Sequence, residues 1–406
     1  MNYWKKYTFD NAPLEIIDGD RGVNYPKQSD FMSSGYCLFL NAGNVTDSGF
    51  DFSNCSFISK EKDNQLRKGK LSRCDIVLTT RGTVGNLAFY NEKVPYENVR
   101  INSGMVIFRV NNDAIFPRYF YFLLRSSIFA DQVRAYATGS AQPQLPIRDI
   151  NRFEFFLPPL PEQRTIAEVL GSLDDKIELN RRMNATLEAM ARAVFKHWFV
   201  DNPEAVGWNE KTIGEVVSVV GGSTPSTSNP AYWEGGTINW ATPKDLASLQ
   251  SPILLDTNSR ITELGLSQIS SGLLPEGTVL LSSRAPIGYL AITNIPLAIN
   301  QGFIAIKCST EMPNYYILHW AKQNMDAIEA RANGTTFLEI SKSSFRPMRI
   351  IVPPTKILVL FVEQVEPIYK KIIANLQESR TLASLRDSLL PKLMRGEARV
   401  KDHGAP

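Results

Sequence analysis

Two stretches of this chain carry apolar positions at heptad spacing, and the rest does not. From Pro161 to about Val200, the positions Ile166, Leu170, Leu173, Ile177, Asn180, Asn184, Leu187, Ala191, Val194 and Trp198 recur at alternating steps of four and three. That is the spacing of a helix whose seam faces a second helix. Phe361, Val365, Ile368, Ile372, Asn375, Ser379, Leu382, Arg386, Leu389 and Leu393 repeat those steps at an offset of about 195 residues. A helix of roughly 38 residues is about 57 Å long. It cannot fold back into a small domain, so each needs a partner helix, and the other half supplies one with the same seam. Asn180 and Asn375 are polar seam positions that trade stability for register, flanked by Ile177, Ile372, Leu187 and Leu382. Pro161 suits a first helical turn, Thr355 an N-cap and Gly396 a stop, while Pro391 should kink or end the second helix.

The remaining sequence is strand-like. Tyr36–Leu40, Asp75–Thr79, Asn86–Tyr90 and Met105–Val110 are short β-type runs separated by Gly, Asn and Asp turns, followed by a helical pattern over Tyr119–Tyr136. The second half echoes them with Thr278–Ser282, Tyr289–Ile292, Gly302–Lys307 and a helical pattern over Tyr315–Ala330. The offset also aligns Gly139-Ser140 with Gly334-Thr335, and Phe155–Pro159 with Ile350–Pro354. Each half is therefore expected to be an α+β unit with a curled, mostly antiparallel sheet and one long helix. The expected divisions are 1–155, a central helix 156–202, 203–350, a distal helix 351–400, and a tail 401–406.

Composition adds limits rather than a function. A chain of 406 residues, 43% hydrophobic and 21% charged, is an ordinary globular protein with room for two or three domains. No apolar run reaches the length of a membrane span and the N-terminus has no signal-peptide core. Cys37, Cys55, Cys74 and Cys308 lack metal or redox spacing, so reduced thiols and a cytoplasmic location are expected. A net charge of +3 permits nucleic-acid binding without arguing for it.

Catalytic motifs are missing. There is no phosphate loop, no dinucleotide fingerprint, no His-Glu-x-x-His and no Asn/Asp-Pro-Pro-aromatic motif. His197, His319 and His403 are far apart and read as helix-surface or tail residues. Asp174-Asp175-Lys176 lies on the first long helix and reads as a solvated flank of the seam. No catalytic or metal-ligating residue is assigned.

Binding residues are better represented. Thr79-Thr80-Arg81-Gly82-Thr83-Val84-Gly85 corresponds to Ser282-Ser283-Arg284-Ala285-Pro286-Ile287-Gly288, placing hydroxyls and one arginine at a strand end in each half. Arginine suits a guanine edge or a phosphate, and Thr80, Thr83 and Ser283 serve either. The same pattern equally fits a turn whose arginine braces its neighbour strand. Asn102 matches Asn300-Gln301 in a second pair of loops. Asn and Gln can read adenine, yet Asn-x-Gly is also a plain turn signal. Thr224, in Gly221-Gly222-Ser223-Thr224-Pro225-Ser226, and Lys244, after Trp240, lie in polar loops with interleaved aromatics. Trp233 and Trp240 themselves read as core.

Leu157-Pro158-Pro159-Leu160-Pro161-Glu162-Gln163-Arg164-Thr165-Ile166-Ala167, continuing through Leu173-Asp174-Asp175-Lys176-Ile177, resembles the central segment of type I restriction–modification specificity subunits. The Gly-x-Thr-Pro-Ser loop with Tyr232-Trp233 and Trp240-Ala241-Thr242 is similar to the opening of a target recognition domain in that family. The second helix departs from the pattern, with Thr355-Lys356-Ile357-Leu358 in place of Leu-Pro-Glu-Gln. The resemblance implies two pseudo-symmetric target recognition domains separated by two long antiparallel helices forming a coiled coil. Each domain would read one half of a split double-stranded DNA target and the helices would set the gap. It further implies two modification subunits that methylate adenine with S-adenosylmethionine and two ATP- and Mg²⁺-dependent restriction subunits. The chain itself would then bind no cofactor and contact no membrane. The competing readings are a stand-alone nuclease or methyltransferase, and a coiled-coil scaffold without DNA specificity.

Overall fold

The computed structural model describes residues 3–139, 143–284, 286–334 and 338–400. Ser140, Ala285, Thr335, His403 and the tail 401–406 lie outside the described residues. The chain forms two compact units, residues 1–176 with 381–406, and residues 177–380.

In the first unit a four-stranded antiparallel sheet has the order Leu14–Asp18, Met105–Val110, Ile76–Thr79, Leu87–Phe89. All four residues of Ile76–Thr79 are buried. A continuous apolar run of this kind follows when both faces of a sheet are covered. Ile76, Leu78, Val106 and Phe108 face a core with Tyr119, Phe120 and Phe122, while Val77, Met105 and Ile107 face Leu38, Leu40, Val99 and Ile101. The second layer holds Phe57–Ile58, Cys37–Leu40 and Val99–Ile101, the last two parallel. Lys5–Thr8 pairs with Glu154–Leu157 to close the unit.

The second unit repeats this plan. Ser218–Gly221, Phe303–Lys307, Val279–Ser283 and Ile287–Thr293 form the corresponding sheet, extended by Ile253–Leu254. Ser259–Ile261, Ile238–Ala241 and Ala298–Ile299 form the second layer, again with one parallel pair. Asn209–Thr212 closes on Arg349–Val352. The helical pattern in each half is two helices rather than one. Pro117–Arg125 and Ser127–Tyr136 are separated at buried Ser126, whose hydroxyl bonds Leu123 O at 2.6 Å. Asn314–Gln323 and Met325–Glu329 are separated at Asn324.

The long helices span Leu160–Phe199 and Thr355–Met394, each 40 residues. Within the second unit they run antiparallel, with Asn184 against Asn375 and Trp198 against Gln364. Within the first unit Ile166 and Leu170 share a core with Leu390 and Leu393. Pro391 falls late in the second helix, close to where it ends. It occupies the final turn, and the helix stops at Met394 before Gly396, which adopts φ +66° and donates its N–H to Leu393 O at 3.1 Å. Thr355 is the first helical residue rather than the cap before it.

Asn180 and Asn375 are buried in the seam. Asn180 Nδ2 donates to Glu378 Oε2 at 2.8 Å and Asn375 O at 3.3 Å, and Asn375 Nδ2 donates to Asn184 Oδ1 at 2.8 Å. Ile372 is fully buried, whereas Ile177, Leu187 and Leu382 are half-buried. Towards their ends the helices bury more than the seam: Gln163 and Ala167 at one end and Phe195 and Phe199 at the other sink against the globular layers.

Gln163 explains part of the Leu-Pro-Glu-Gln segment. It is buried, accepts from Phe116 N at 2.8 Å, and donates to Ala114 O at 3.0 Å and Pro158 O at 2.8 Å. Its counterpart is buried Leu358, so the second unit replaces a polar latch by an apolar one. Asp174 and Asp175 are not a solvated flank. Asp174 binds Arg125 at 2.6 Å and Arg386 at 2.7 Å, and Asp175 binds Lys93 at 2.6 Å and Arg118 at 2.8 Å. Burial alone would raise the Asp175 carboxyl, but the bonds from Lys93 and Arg118 hold it below the ordinary carboxylate range. Gly171 lets Arg118 in, since a Cβ there would lie 2.5 Å from the Arg118 guanidinium carbon.

Candidate nucleic-acid interface

At one end of each main sheet, loops from distant parts of the chain converge on an arginine. In the first unit Thr80 N donates to Gly104 O and Leu145 N to Thr80 O, both near 2.9 Å or shorter. Arg81 forms a bridge with Gln144, which itself pairs with Thr138. The second unit reproduces each contact: Ser283 N to Gly302 O, Ile340 N to Ser283 O, and bridges Arg284–Glu339 and Asn333–Glu339. The backbone frame is thus the same while one neighbour changes from an amide to a carboxylate.

That change alters the arginines. Arg284 lies 3.8 Å from Glu339 and is partly neutralised. Arg81 is exposed and has no ion-pair partner among the described residues. It lines a cleft of about 180 Å³ with Asp18, Arg21, Thr80, Gln144 and Pro146. Arg21 is held at the rim by Asp18 at 3.1 Å and by Ser103 O at 3.2 Å.

The sites inferred from sequence divide by accessibility. Thr80 and Ser283 are buried, although Thr80 still lines the Arg81 cleft. Thr83 is exposed, with its carbonyl accepting from Thr79 Oγ1. Asn102 Oδ1 accepts from Gly104 N at 2.9 Å and Asn300 Oδ1 from Gly302 N at 2.8 Å, so both asparagines form the turns they signal. Gln301 is exposed and accepts from Thr224 Oγ1. Lys244 is exposed beside Pro243, against which Gly302 packs. All six candidates of the second unit therefore lie around one strand end, as do Thr80, Arg81, Thr83 and Asn102 in the first.

Gly19 and Gly222 permit the convergence. A Cβ on Gly19 would lie 2.2 Å from Asn102 O, and one on Gly222 would lie 1.9 Å from Ile299 O. Trp233 and Trp240 brace the adjacent loop. They meet edge to face at 5.0 Å, and their indole N–H groups donate to Ser226 O and Ser223 O. Gln144 and Glu339 carry no motif and were missed in the sequence. Their equivalence, at the offset of the two repeats, was the available signal.

His319 corrects its surface assignment. It is buried, stacks on Phe195 and shares a 3.0 Å hydrogen bond with Tyr369. Burial, with the Lys322 and Arg192 charges, lowers its pKa to about 3. His197 is exposed on the first long helix. Among the described residues no three His, Cys, Asp or Glu side chains are grouped to hold a metal ion, and no helix is long and apolar enough to cross a membrane.

Residues 15–189 and 205–380 each match the family described as type I restriction modification DNA specificity domain, and the chain belongs to that family. Among its relatives, the type I restriction enzyme HindI specificity subunit of Haemophilus influenzae is 22% identical, over 98% of this chain and all of that protein. The MjaIX specificity subunit of Methanocaldococcus jannaschii is 28% identical over 80% of this chain and 78% of its own. A crystal structure of the type I restriction–modification S subunit from M. genitalium shares the fold, with a TM-score of 0.56 at 15% identity over 97% of each chain.

Proposed function

We propose that this chain is the DNA sequence-specificity subunit of a type I restriction–modification complex. Each globular unit reads one half of a bipartite target, and the helical pair sets the spacing. The observation that best supports this is the repeated arginine-bearing strand end: one backbone frame occurs twice, while the residue beside the arginine differs, Gln144 in one and Glu339 in the other. Two readers of different half-sites on one scaffold need that combination. Adenine methylation and restriction belong to partners: two modification subunits that use S-adenosylmethionine, and two restriction subunits that use ATP and Mg²⁺. This chain positions them and performs no chemistry.

Methylation mapping in cells that carry the protein and its partners is the test. Replacing residues 1–155 by the domain of another family member should change one half-site only, and an unchanged methylated sequence would refute the reading. Arg81→Ala and Arg284→Ala should each weaken sequence-specific binding by about 1–3 kcal/mol, the value of a bidentate arginine contact. One heptad added to each long helix should lengthen the gap and leave both half-sites intact.

A further inference from the structure

The segment after the second-layer strand corresponds residue for residue between the units. Ser59 caps a short helix by accepting from Lys62 N, as Thr262 does from Gly265 N. Gly69 and Gly272 both take positive φ, +82° and +61°, and Cys74 stands at φ +74° where the other unit has Gly277 at +84°. Buried Leu66 and Leu71 match buried Ile269 and Leu274. The charges do not correspond. The first unit carries Lys60, Lys62, Arg67, Lys68, Lys70 and Arg73, where the second has Glu263, Gly265, Ser270, Ser271, Leu273 and Glu276.

Four of these six cations are engaged within the fold. Lys62 pairs with Asp30 at 3.2 Å and Lys70 with Asp63 at 2.5 Å. Arg73 donates to Asn91 O and lies over the Tyr90 ring, and Lys60 lies over Tyr36. Arg67 and Lys68 are different. Both are exposed, and neither side chain has a partner among the described residues.

Their backbone is nevertheless fixed. Asp20 Oδ2 accepts from Arg67 N at 2.6 Å and Lys68 N at 3.3 Å, while Oδ1 accepts from Gly22 N at 2.7 Å. Burial alone would raise the Asp20 carboxyl, but these amides and the Arg100 charge hold it below the ordinary carboxylate range, so the clamp stays ionised at neutral pH. Lys68 O also accepts from Arg100 Nη1 at 2.6 Å. The clamp ties both residues to the loop that carries Arg21 to the rim of the Arg81 cleft.

We infer that Arg67 and Lys68 bind the DNA phosphate backbone beside the half-site read by the first unit, a sequence-independent anchor that the second unit lacks. The inference rests on the DNA-specificity reading above. Two free cations on a fixed backbone, next to a reading cleft, attract phosphates without discriminating bases. The two halves of the target are then held unequally, the first by anchor and readers, the second by readers alone.

Salt dependence tests this. The protein assembled with its modification subunits is titrated with a duplex carrying the mapped methylation target, and with a scrambled duplex of equal length, across a range of salt. Arg67→Gln with Lys68→Gln should reduce the slope of log affinity against log salt by about 1.8, at roughly 0.9 per phosphate contact. Taken from 1 M, that is a loss of about 60-fold at 0.1 M salt. The loss should be equal on both duplexes, with the methylated sequence unchanged. Ser270→Arg, at the exposed counterpart of Arg67, should steepen the slope by about 0.9. Unchanged slopes in both variants would overturn the anchor while leaving the specificity reading intact, and so would a first half-site altered by the double substitution. A wild-type complex that methylates no defined sequence would overturn both readings.

Discussion

Replacing Asp174 by Asn tests whether charge pairing joins the first long helix to its unit. Asp174 lies between Arg125 at 2.6 Å and Arg386 at 2.7 Å, and the three side chains are only 21%, 24% and 16% exposed. Asparagine would leave Arg125 and Arg386 without the anion that joins them, Arg386 keeping only the exposed Asp387 at 2.8 Å. Removing one partner of a fully buried pair costs about 3–5 kcal/mol, and an exposed pair is worth about 0–1 kcal/mol. At this exposure the cost should be about 2–3 kcal/mol. For a unit of this size that lowers the melting temperature by about 5–10 °C. The same substitution should speed hydrogen exchange in the amides around Asp174 and Arg386. An apolar triple replacement, Arg125→Met, Asp174→Leu and Arg386→Leu, should recover most of the loss, because the only charge left without its partner, Asp387, is exposed to water. At the offset of the long helices, Asp174 and Arg386 correspond to buried Tyr369 and Ala191 in the second unit. An Asp174→Asn protein with wild-type melting and exchange would refute the reasoning.

Other outcomes are equally specific. His319 is held neutral in the fold, so its contribution is complete above its unfolded pKa near 6.5 and is lost as pH falls towards about 3. Acid should therefore destabilise the second unit by about 1.4 kcal/mol per pH unit over that window, and His319→Phe should flatten the dependence in pH-resolved melting. Gln163→Leu strands Phe116 N, Ala114 O and Pro158 O, and should cost more than about 2 kcal/mol in chemical unfolding. Gly222→Ala forces a Cβ onto the Ile299 carbonyl and should abolish recognition of the second half-site alone, read by methylation mapping.

The long helices, the strand runs and the repeat were legible because each is a periodic or local signal. Burial of both sheet faces turns strands into apolar runs, and a paired seam turns a helix into a heptad pattern. Asn180 and Asn375 could be placed in the seam from spacing alone, and the structure finds them there. Helix breaks at Ser126 and Asn324 were not legible, since the apolar pattern continues across them. The candidate site was legible as arginine-bearing loops, but not as accessible groups. Thr80 and Thr83 have the same chemistry in sequence, and only the turn of the chain buries one and exposes the other.

Partnership was beyond the sequence altogether. Asp174 reads as a surface charge until Arg125 and Arg386 are brought to it, and His319 reads as a helix-surface residue until Phe195 and Tyr369 cover it. Arg67 and Lys68 differ from Lys62 and Lys70 in that no carboxylate among the described residues pairs with their side chains. Periodicity is set by each residue and its neighbours along the chain, so the sequence determined the elements and their duplication. Which charges are neutralised depends on residues tens of positions away, and only the tertiary structure decided which cations remain free to meet a phosphate.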